Sequence, residues 1–296
     1  MRSRPTQVPA TRSGIDGLVG QDISYSLSPV IFRRAFDELG WPAVYGIFDL
    51  TPARLPRFIA TAADAGITGF NVTQPHKVRM MRHIDRIDPV ASAVGAVNTV
   101  VRRRRRWIGY NTDVEGVQQA LAPYRSDLAN ANALIIGAGG AARGVAYALA
   151  DRLHMSEITF AARSVAKGRS IVRQLSSQRH HHCRWSVCPL TRSALNERIA
   201  DTSLLVNATP VGGSGAEGRS PLPCGVKITR SLVVFDLVYC PRHTKLLNDA
   251  KSARCRSLVD GWGMLVAQAD ASLFLWTGTR FPERVRRKLL ALENPQ

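Results

Sequence analysis

One stretch constrains this chain more than any other: NANALIIGAGGAARGVAYALA, residues 130–150. The apolar run ALIIG reads as a buried strand. It breaks into a glycine-rich turn, and the segment after the turn reads as a helix. Gly137, Gly139 and Ala142 fill the register G-x-G-x-x-G/A. Those small residues let the backbone turn tightly and approach a pyrophosphate, while the helix that follows presents free N–H groups and the positive end of its dipole. A strand that must run through a crossover helix into a second strand, here EITFAARS (157–164), commits this part of the chain to a parallel sheet with helices on its faces. The spacing therefore predicts a dinucleotide-binding Rossmann unit, with Gly137, Ala138, Gly139, Gly140 and Ala141 against the phosphates.

The end of the second strand bears on which dinucleotide. An acidic residue there would bind the adenosine ribose hydroxyls of NAD. This chain instead reads Ala162, Arg163, Ser164, with Lys167 following. A guanidinium offers a planar fork of donors to a 2′-phosphate, so Arg163, helped by Ser164 and Lys167, predicts NADP. Further on, SLLVNATPVG and SLVVFDLVY read as buried strands whose ends carry Asn207, Thr209 and Leu237. Open α/β sheets place ligands at such ends, and these residues, with Gly261, are expected on the cofactor.

Before this unit, short apolar runs alternate with helical patterns. GIDGLVG reads as a strand, SPVIFRRAFDELG as a helix stopped by Gly40, AVYGIFDL as a strand, TPARLPRFIATAADAG as a helix and ITGFNV as a strand. The alternation predicts a second, mostly parallel α/β lobe. We expect a substrate-binding domain made of residues 14–112 with a helical return over 260–296, an NADP-binding domain over 113–259, and a flexible tail over 1–13.

Composition excludes more than it selects. With 296 residues and 45% apolar content the chain can bury a sizeable core. No apolar run is long enough for a membrane helix, and the polar opening MRSRPTQVPATRSG does not read as a secretory signal. Five cysteines at irregular spacing suit a reducing compartment, so the cytoplasm is expected. His180, His181, His182, Cys183 and Cys188 cluster, but without the paired spacing of a zinc site, so no metal is expected. The net charge of +18 is compatible with nucleic acid and equally with small anions. Its densest run, Arg102–Arg106, lies between VNTVV and WIGY, where a hairpin tip belongs, and no nucleic-acid signature accompanies it.

The stretch GFNVTQPHK (69–77) puts Asn71, Thr73, His76 and Lys77 where a buried strand should finish. It is one of nine blocks that occur in order: YSLSP (25–29), GFNVTQPHK, GAVNTV (95–100), GYNTD (109–113), GAGGAARG (137–144), AARS (161–164), NATPVG (207–212), DLVYCPRHTKLL (236–247) and GWGMLVAQA (261–269). On these blocks the chain resembles the shikimate dehydrogenase family, and the resemblance runs from about Gly14 to Gly278. The resemblance implies NADP-dependent reduction of 3-dehydroshikimate to shikimate, on the route to chorismate and the aromatic amino acids. It implies Lys77 and Asp113 as the catalytic pair, Ser26, Ser28 and Tyr239 at the substrate carboxylate, and Asn71, Thr73, Asn98, Asp113 and Gln268 at the ring hydroxyls. Asn71 and Thr73 would then be polar because the ligand satisfies them. The chain departs from the family pattern at Ala162, Gly213 and Ala253, of which Gly213 is expected to loosen packing near the nicotinamide.

Two alternatives stay open. A quinate or quinate/shikimate dehydrogenase using NAD would share the scaffold, although Ser28 and Arg163 lean away from it. A non-catalytic NADP- or nucleic-acid-binding protein would use the basic surface instead. The expected partner is a small-molecule substrate, with no specific nucleic acid and no membrane, in a monomer or homodimer.

Overall fold

The computed structural model describes residues 14–177 and 183–292. The expected tail and His180–His182 lie outside those residues. Along the chain come β1 (Gly14–Gly20), α1 (Ser28–Leu39), β2 (Ala43–Asp49), α2 (Leu55–Thr61), β3 (Gly69–Val72), β4 (Arg86–Ile87), α3 (Pro89–Val94), β5 (Thr99–Arg103) and β6 (Arg106–Tyr110). They are followed by α4 (Asp113–Ala120), α5 (Arg125–Leu128), β7 (Asn132–Ile136), α6 (Gly140–Asp151), β8 (Glu157–Ala162), α7 (Val165–Ser176), β9 (Arg184–Pro189) and α8 (Arg192–Ile199). The last elements are β10 (Leu204–Asn207), β11 (Val233–Asp236), α9 (Lys245–Ser252), β12 (Ser257–Val259), α10 (Gly261–Thr277) and α11 (Glu283–Leu290).

The chain forms two compact units, each around its own six-stranded sheet. The first takes residues up to Ile87, Val97–Tyr110 and the chain from Ala269 onward; the second takes Asp88–Ala96 and Asn111–Gln268. These bounds differ from the expected ones at residues 88–96, 111–112 and 260–268. Residues 88–96 join the second unit because Val94 and Ala96 are buried in its core beside α6 residues such as Val145 and Leu149. Helix α10 is shared, since Met264 packs into that same core while Trp276 Nε1 donates to Val100 O of β5 at 3.0 Å.

The second unit is the parallel sheet that the glycine-rich turn demanded. Its order is β12-β11-β10-β7-β8-β9, with every pairing parallel. Read from the first strand of the unit this is the doubly wound order of dinucleotide-binding folds. Both faces are covered, so each strand contributes alternately to two cores. In β7, Ala133 and Ile135 face one cluster with Ala146, Leu149 and Phe160, while Leu134 and Ile136 face another with Leu195, Ile199 and Leu246. Such two-faced burial is why the strands read as unbroken apolar runs.

The first unit is mostly parallel, as expected, but carries an antiparallel insertion. Its order is β2-β1-β3-β5-β6-β4; β1 pairs in parallel with β2 and β3 and β4 with β6, while the β3–β5 and β5–β6 pairings are antiparallel. A two-residue turn at Arg104 and Arg105 leaves no room for a crossover, so β5 and β6 must form a hairpin. The arginine run is thus a hairpin tip, as its position between two strands predicts. Helix α2 is shorter than the pattern suggested: regular helix ends at Thr61 and the chain turns through Gly66 at φ 76°.

Candidate active site

In the second unit, β7 delivers the chain into a turn at Gly137, whose φ is 116°, a conformation glycine adopts without strain. Gly139 then serves as the N-cap of α6 with no side-chain cap, and a Cβ built on it meets nothing within 4 Å. With no side chain capping it, the first turn of α6 offers N–H groups and a positive dipole end, which suit a pyrophosphate. Ala142, third in the register, is fully buried in the core and anchors the helix to the sheet. At the end of β8, Ala162 is buried and Arg163 is exposed. Ser164 caps α7, accepting from Lys167 N at 3.4 Å. Arg163 meets no carboxylate among the described residues, and with the exposed Lys167 it frames a helix N-terminus. This donor set fits a dinucleotide with an added phosphate. The residues that would hold it are Gly137–Ala141 at the pyrophosphate and Arg163, Ser164 and Lys167 at the adenosine side.

Asn207 behaves differently from its expected role. Its Nδ2 donates to Val211 O at 3.0 Å and to Asp236 Oδ1 at 2.8 Å, while its Oδ1 accepts from Thr209 N at 3.0 Å and Thr209 Oγ1 at 2.7 Å. An amide has two donors and two acceptor sites, and all four are used inside the protein. Asn207 builds the turn that presents Thr209. Gly213 also departs from expectation: a Cβ there would lie 3.2 Å from Pro210 O and 3.3 Å from Val238 Cγ1, so the position is tightly packed.

In the first unit, Ser26 and Ser28 are adjacent at the start of α1, Ser26 Oγ lying 3.3 Å from both Ser28 Oγ and Ser28 N. Asn71, buried in β3, accepts from Tyr45 OH at 2.8 Å and donates to Asn98 O, Thr99 Oγ1 and Ser272 Oγ at 3.3, 3.1 and 2.9 Å. Its polarity is satisfied by the protein, and Asn71 ties the strand end to Asn98 on the neighbouring segment. The turn after β3 is held at both ends. Thr73 N donates to Val19 O at 2.9 Å, and Lys77 O accepts from Val97 N at 2.8 Å. Between them His76 is fully buried, with Nε2 2.7 Å from Leu50 O, so this nitrogen carries the proton. The half-buried Lys77 thus stands on a backbone fixed at three points.

Three more expected site residues are in the second unit. Asp113, almost fully buried, opens α4, and Gly144 on α6 lets that helix approach so closely that an added Cβ would lie 3.1 Å from Asp113 Cβ. Gln268 is buried on α10 and donates to Leu265 O at 2.9 Å. Tyr239 is half-buried after β11.

Comparison with known proteins decides the family. Residues 18–100 match the shikimate dehydrogenase substrate binding domain. A protein of Methanopyrus kandleri named shikimate dehydrogenase (NADP(+)) is 39% identical over 277 residues, which is 93% of this chain and 94% of that protein. The chain belongs to the shikimate dehydrogenase family. Two solved members agree in fold. A shikimate dehydrogenase crystallised with NADP+ is 34% identical with a TM-score of 0.82 and covers 94% of each chain. The Listeria monocytogenes enzyme, solved with shikimate and NAD, is 30% identical with a TM-score of 0.82, covering 98% of this chain and 99% of that one.

Within the family frame, one residue the sequence reading did not single out is Asp236, at the end of β11. It is fully buried, and burial pushes its carboxyl up to about 6, against the opposing pull of hydrogen bonds from Thr244, Val238 N and Asn207. Cys183 and Cys188 are buried with raised thiols, Cys183 to about 12, which makes them inert packing residues. Among the described residues no group of three or more His, Cys, Asp or Glu could hold a metal, and no helix is long and apolar enough to cross a membrane.

Proposed function

We propose that the chain catalyses the reversible, NADP-dependent reduction of 3-dehydroshikimate to shikimate. The observation that carries this is the 39% identity, along nearly the whole chain, with a relative named as an NADP(+) shikimate dehydrogenase. The uncapped start of α6 and the exposed Arg163 support NADP as the cofactor.

When bound, the nicotinamide exchanges a hydride with the substrate carbon. Lys77 gives a proton to the carbonyl oxygen as that carbon is reduced and takes it back in the reverse direction, with Asp113 orienting and tuning it. A cationic donor there also stabilises the negative charge that develops on oxygen. Ser26 and Ser28, with Tyr239, hold the substrate carboxylate. Thr73, Asn98 and Gln268 bind ring hydroxyls, and Asn71 acts through Asn98 by fixing its carbonyl. A site of this kind selects its ligand because each unmatched polar group penalises a wrong one. The enzyme acts on its own, as a monomer or homodimer, in the cytoplasm.

The test is the initial rate at the reduced-nicotinamide absorbance band. Shikimate with NADP is expected to turn over faster than quinate with NAD, and the opposite order would assign the chain to the quinate enzymes. In the same assay Lys77→Ala should lower kcat by roughly 10²–10⁴-fold with a much smaller change in KM. A near-native kcat with a steep rise in KM would make Lys77 a binding residue only.

A further inference from the structure

Two strand ends and a helix N-cap of the second unit meet at one buried carboxylate. Asp236 Oδ1 accepts from Val238 N at 3.0 Å and Asn207 Nδ2 at 2.8 Å, and its Oδ2 accepts from Thr244 Oγ1 at 2.7 Å. Each partner passes the constraint on. Asn207 spends its remaining oxygen capacity on Thr209, whose Cγ2 lies where a Cβ on Gly137 would come within 3.0 Å. Thr244 caps α9 by accepting from Leu247 N at 3.2 Å. Val238 O accepts from Gly261 N at 3.2 Å, and Gly261 sits so close to Leu237 that a Cβ would be 2.2 Å from Leu237 O. Thr209, Leu237 and Gly261 have little in common in the sequence, yet all hang on Asp236.

The sheet order says which part of the cofactor these residues serve. A dinucleotide crosses the carboxyl edge of a doubly wound sheet where the strand order reverses, here between β7 and β10. Arg163, at the end of β8, puts the adenosine phosphate on one side of that point. The nicotinamide half then lies over the ends of β10 and β11. We infer that Asp236 is a positioning residue for the nicotinamide half of the dinucleotide, holding the loops after β10 and β11 in the shape that half requires; this rests on the NADP reading above. An acid suits the task because three donors converge and a carboxylate is an acceptor only. Asn207, with every donor and acceptor committed, relays the constraint to Thr209.

The test separates the two halves of the ligand. NADP+ and 2′,5′-ADP, which carries the adenosine phosphate and no nicotinamide, are titrated against wild type, Asp236→Ala and Asp236→Asn in the full chain. Asp236→Ala is expected to weaken NADP+ about tenfold, the scale of one lost buried hydrogen bond, and 2′,5′-ADP by less than about twofold. Asp236→Asn keeps one oxygen for Val238 N and Asn207 and should recover most of the loss. If Asp236→Ala does not fold, Asp236→Asn decides alone, with NADP+ losing about threefold more than 2′,5′-ADP because an amide donor now faces Thr244. Equal losses for the two ligands, or none, overturn the inference. Wild-type protein that binds neither ligand overturns the NADP reading itself, and the inference with it.

Discussion

At the end of β3 the Asn71 amide is consumed within the protein by Tyr45, Asn98, Thr99 and Ser272. At the end of β8 the Arg163 guanidinium is exposed and meets no carboxylate among the described residues. Both look alike in the sequence, as polar residues closing a buried strand. The difference teaches what a polar strand end is for. Where the protein supplies every partner, the residue fixes backbone and specifies the fold. Where it supplies none, the residue is available to a ligand, and its removal should leave stability nearly untouched.

Asp236 gives the sharpest form of the first kind, because its end is both saturated and ionisable. The groups acting on its carboxyl, besides burial, are the neutral donors Thr244, Val238 N and Asn207. With its pKa raised to about 6, above the usual value near 3.9, the native state holds a proton that the unfolded chain has already released. The contribution to stability is therefore full below about pH 4, lost as pH rises to about 6, and flat above, on the order of 3 kcal/mol in all. Asp236→Asn removes the titration. The denaturation free energy of wild type minus that of Asp236→Asn should fall between pH 4 and 7, and a difference constant across that range would contradict the raised pKa.

The open end should answer in binding. Arg163→Asp is expected to cost NADP+ about 1.5–3 kcal/mol, roughly 10–150-fold in Kd, while the free energy of denaturation changes by no more than about 0.5 kcal/mol. A large loss of stability would move Arg163 to the saturated kind. Asn71→Ala should do the reverse, destabilising by about 2 kcal/mol through the loss of its buried hydrogen bonds to Tyr45, Asn98, Thr99 and Ser272 and leaving NADP+ affinity within about twofold. Chemical denaturation and isothermal titration on the two variants, side by side, check the crossover.

The smallest effect belongs to an end of neither kind. Arg104 and Arg105 form the β5–β6 turn at φ 46° and 67°, left-handed positions that asparagine and glycine occupy with less strain. Their neighbours have structural work: Arg102 lies 5.2 Å over the Trp107 ring and Arg103 donates to Leu275 O at 2.7 Å. The tip is at the opposite end of the ribbon from Asn98 and Asn111. Replacing the turn pair with Asn-Gly should stabilise by about 0.5–1 kcal/mol and leave turnover unchanged. Lost turnover would show that the tip takes part in the reaction.

Much of the second unit was legible because its signals are local. A five-residue apolar run, three small residues at fixed spacing and a basic strand end lie within about thirty-five positions, and β7, α6 and β8 follow from them. In the first unit β1, β2, β3 and the β5–β6 hairpin were readable, but β4 and the antiparallel pairing of β3 with β5 were not. GIDGLVG and ITGFNV carry nothing that says whether the next strand returns by helix or by hairpin; only the short gap at Arg104–Arg105 does. Asp236 was not legible as a hub because its partners are 29 and 8 residues away, and the third is its own backbone two residues on. Asn71 was read as waiting for a ligand because Ser272, 201 residues away, cannot be seen from the strand. The assignment of 88–96 to the second unit escaped for the same reason. Nothing in PVASAV states which core will bury its valines.

The long reach of those partners bears on how the protein is made. The first unit is assembled from three separate pieces of chain, and the last piece begins only at Ala269. Until it leaves the ribosome, Asn71 and Thr99 lack Ser272, Val100 lacks the Trp276 indole, and Glu38 lacks Arg284 and Lys288. The second unit, whose pieces end at Gln268, can close first. The half whose strands are translated first thus finishes last, its six-stranded sheet waiting for the helices from Ala269 onward while every piece of the nucleotide-binding unit is already made. A nascent chain that ends just past Gln268 would hold every piece of the nucleotide-binding unit and still lack the helices that complete the first.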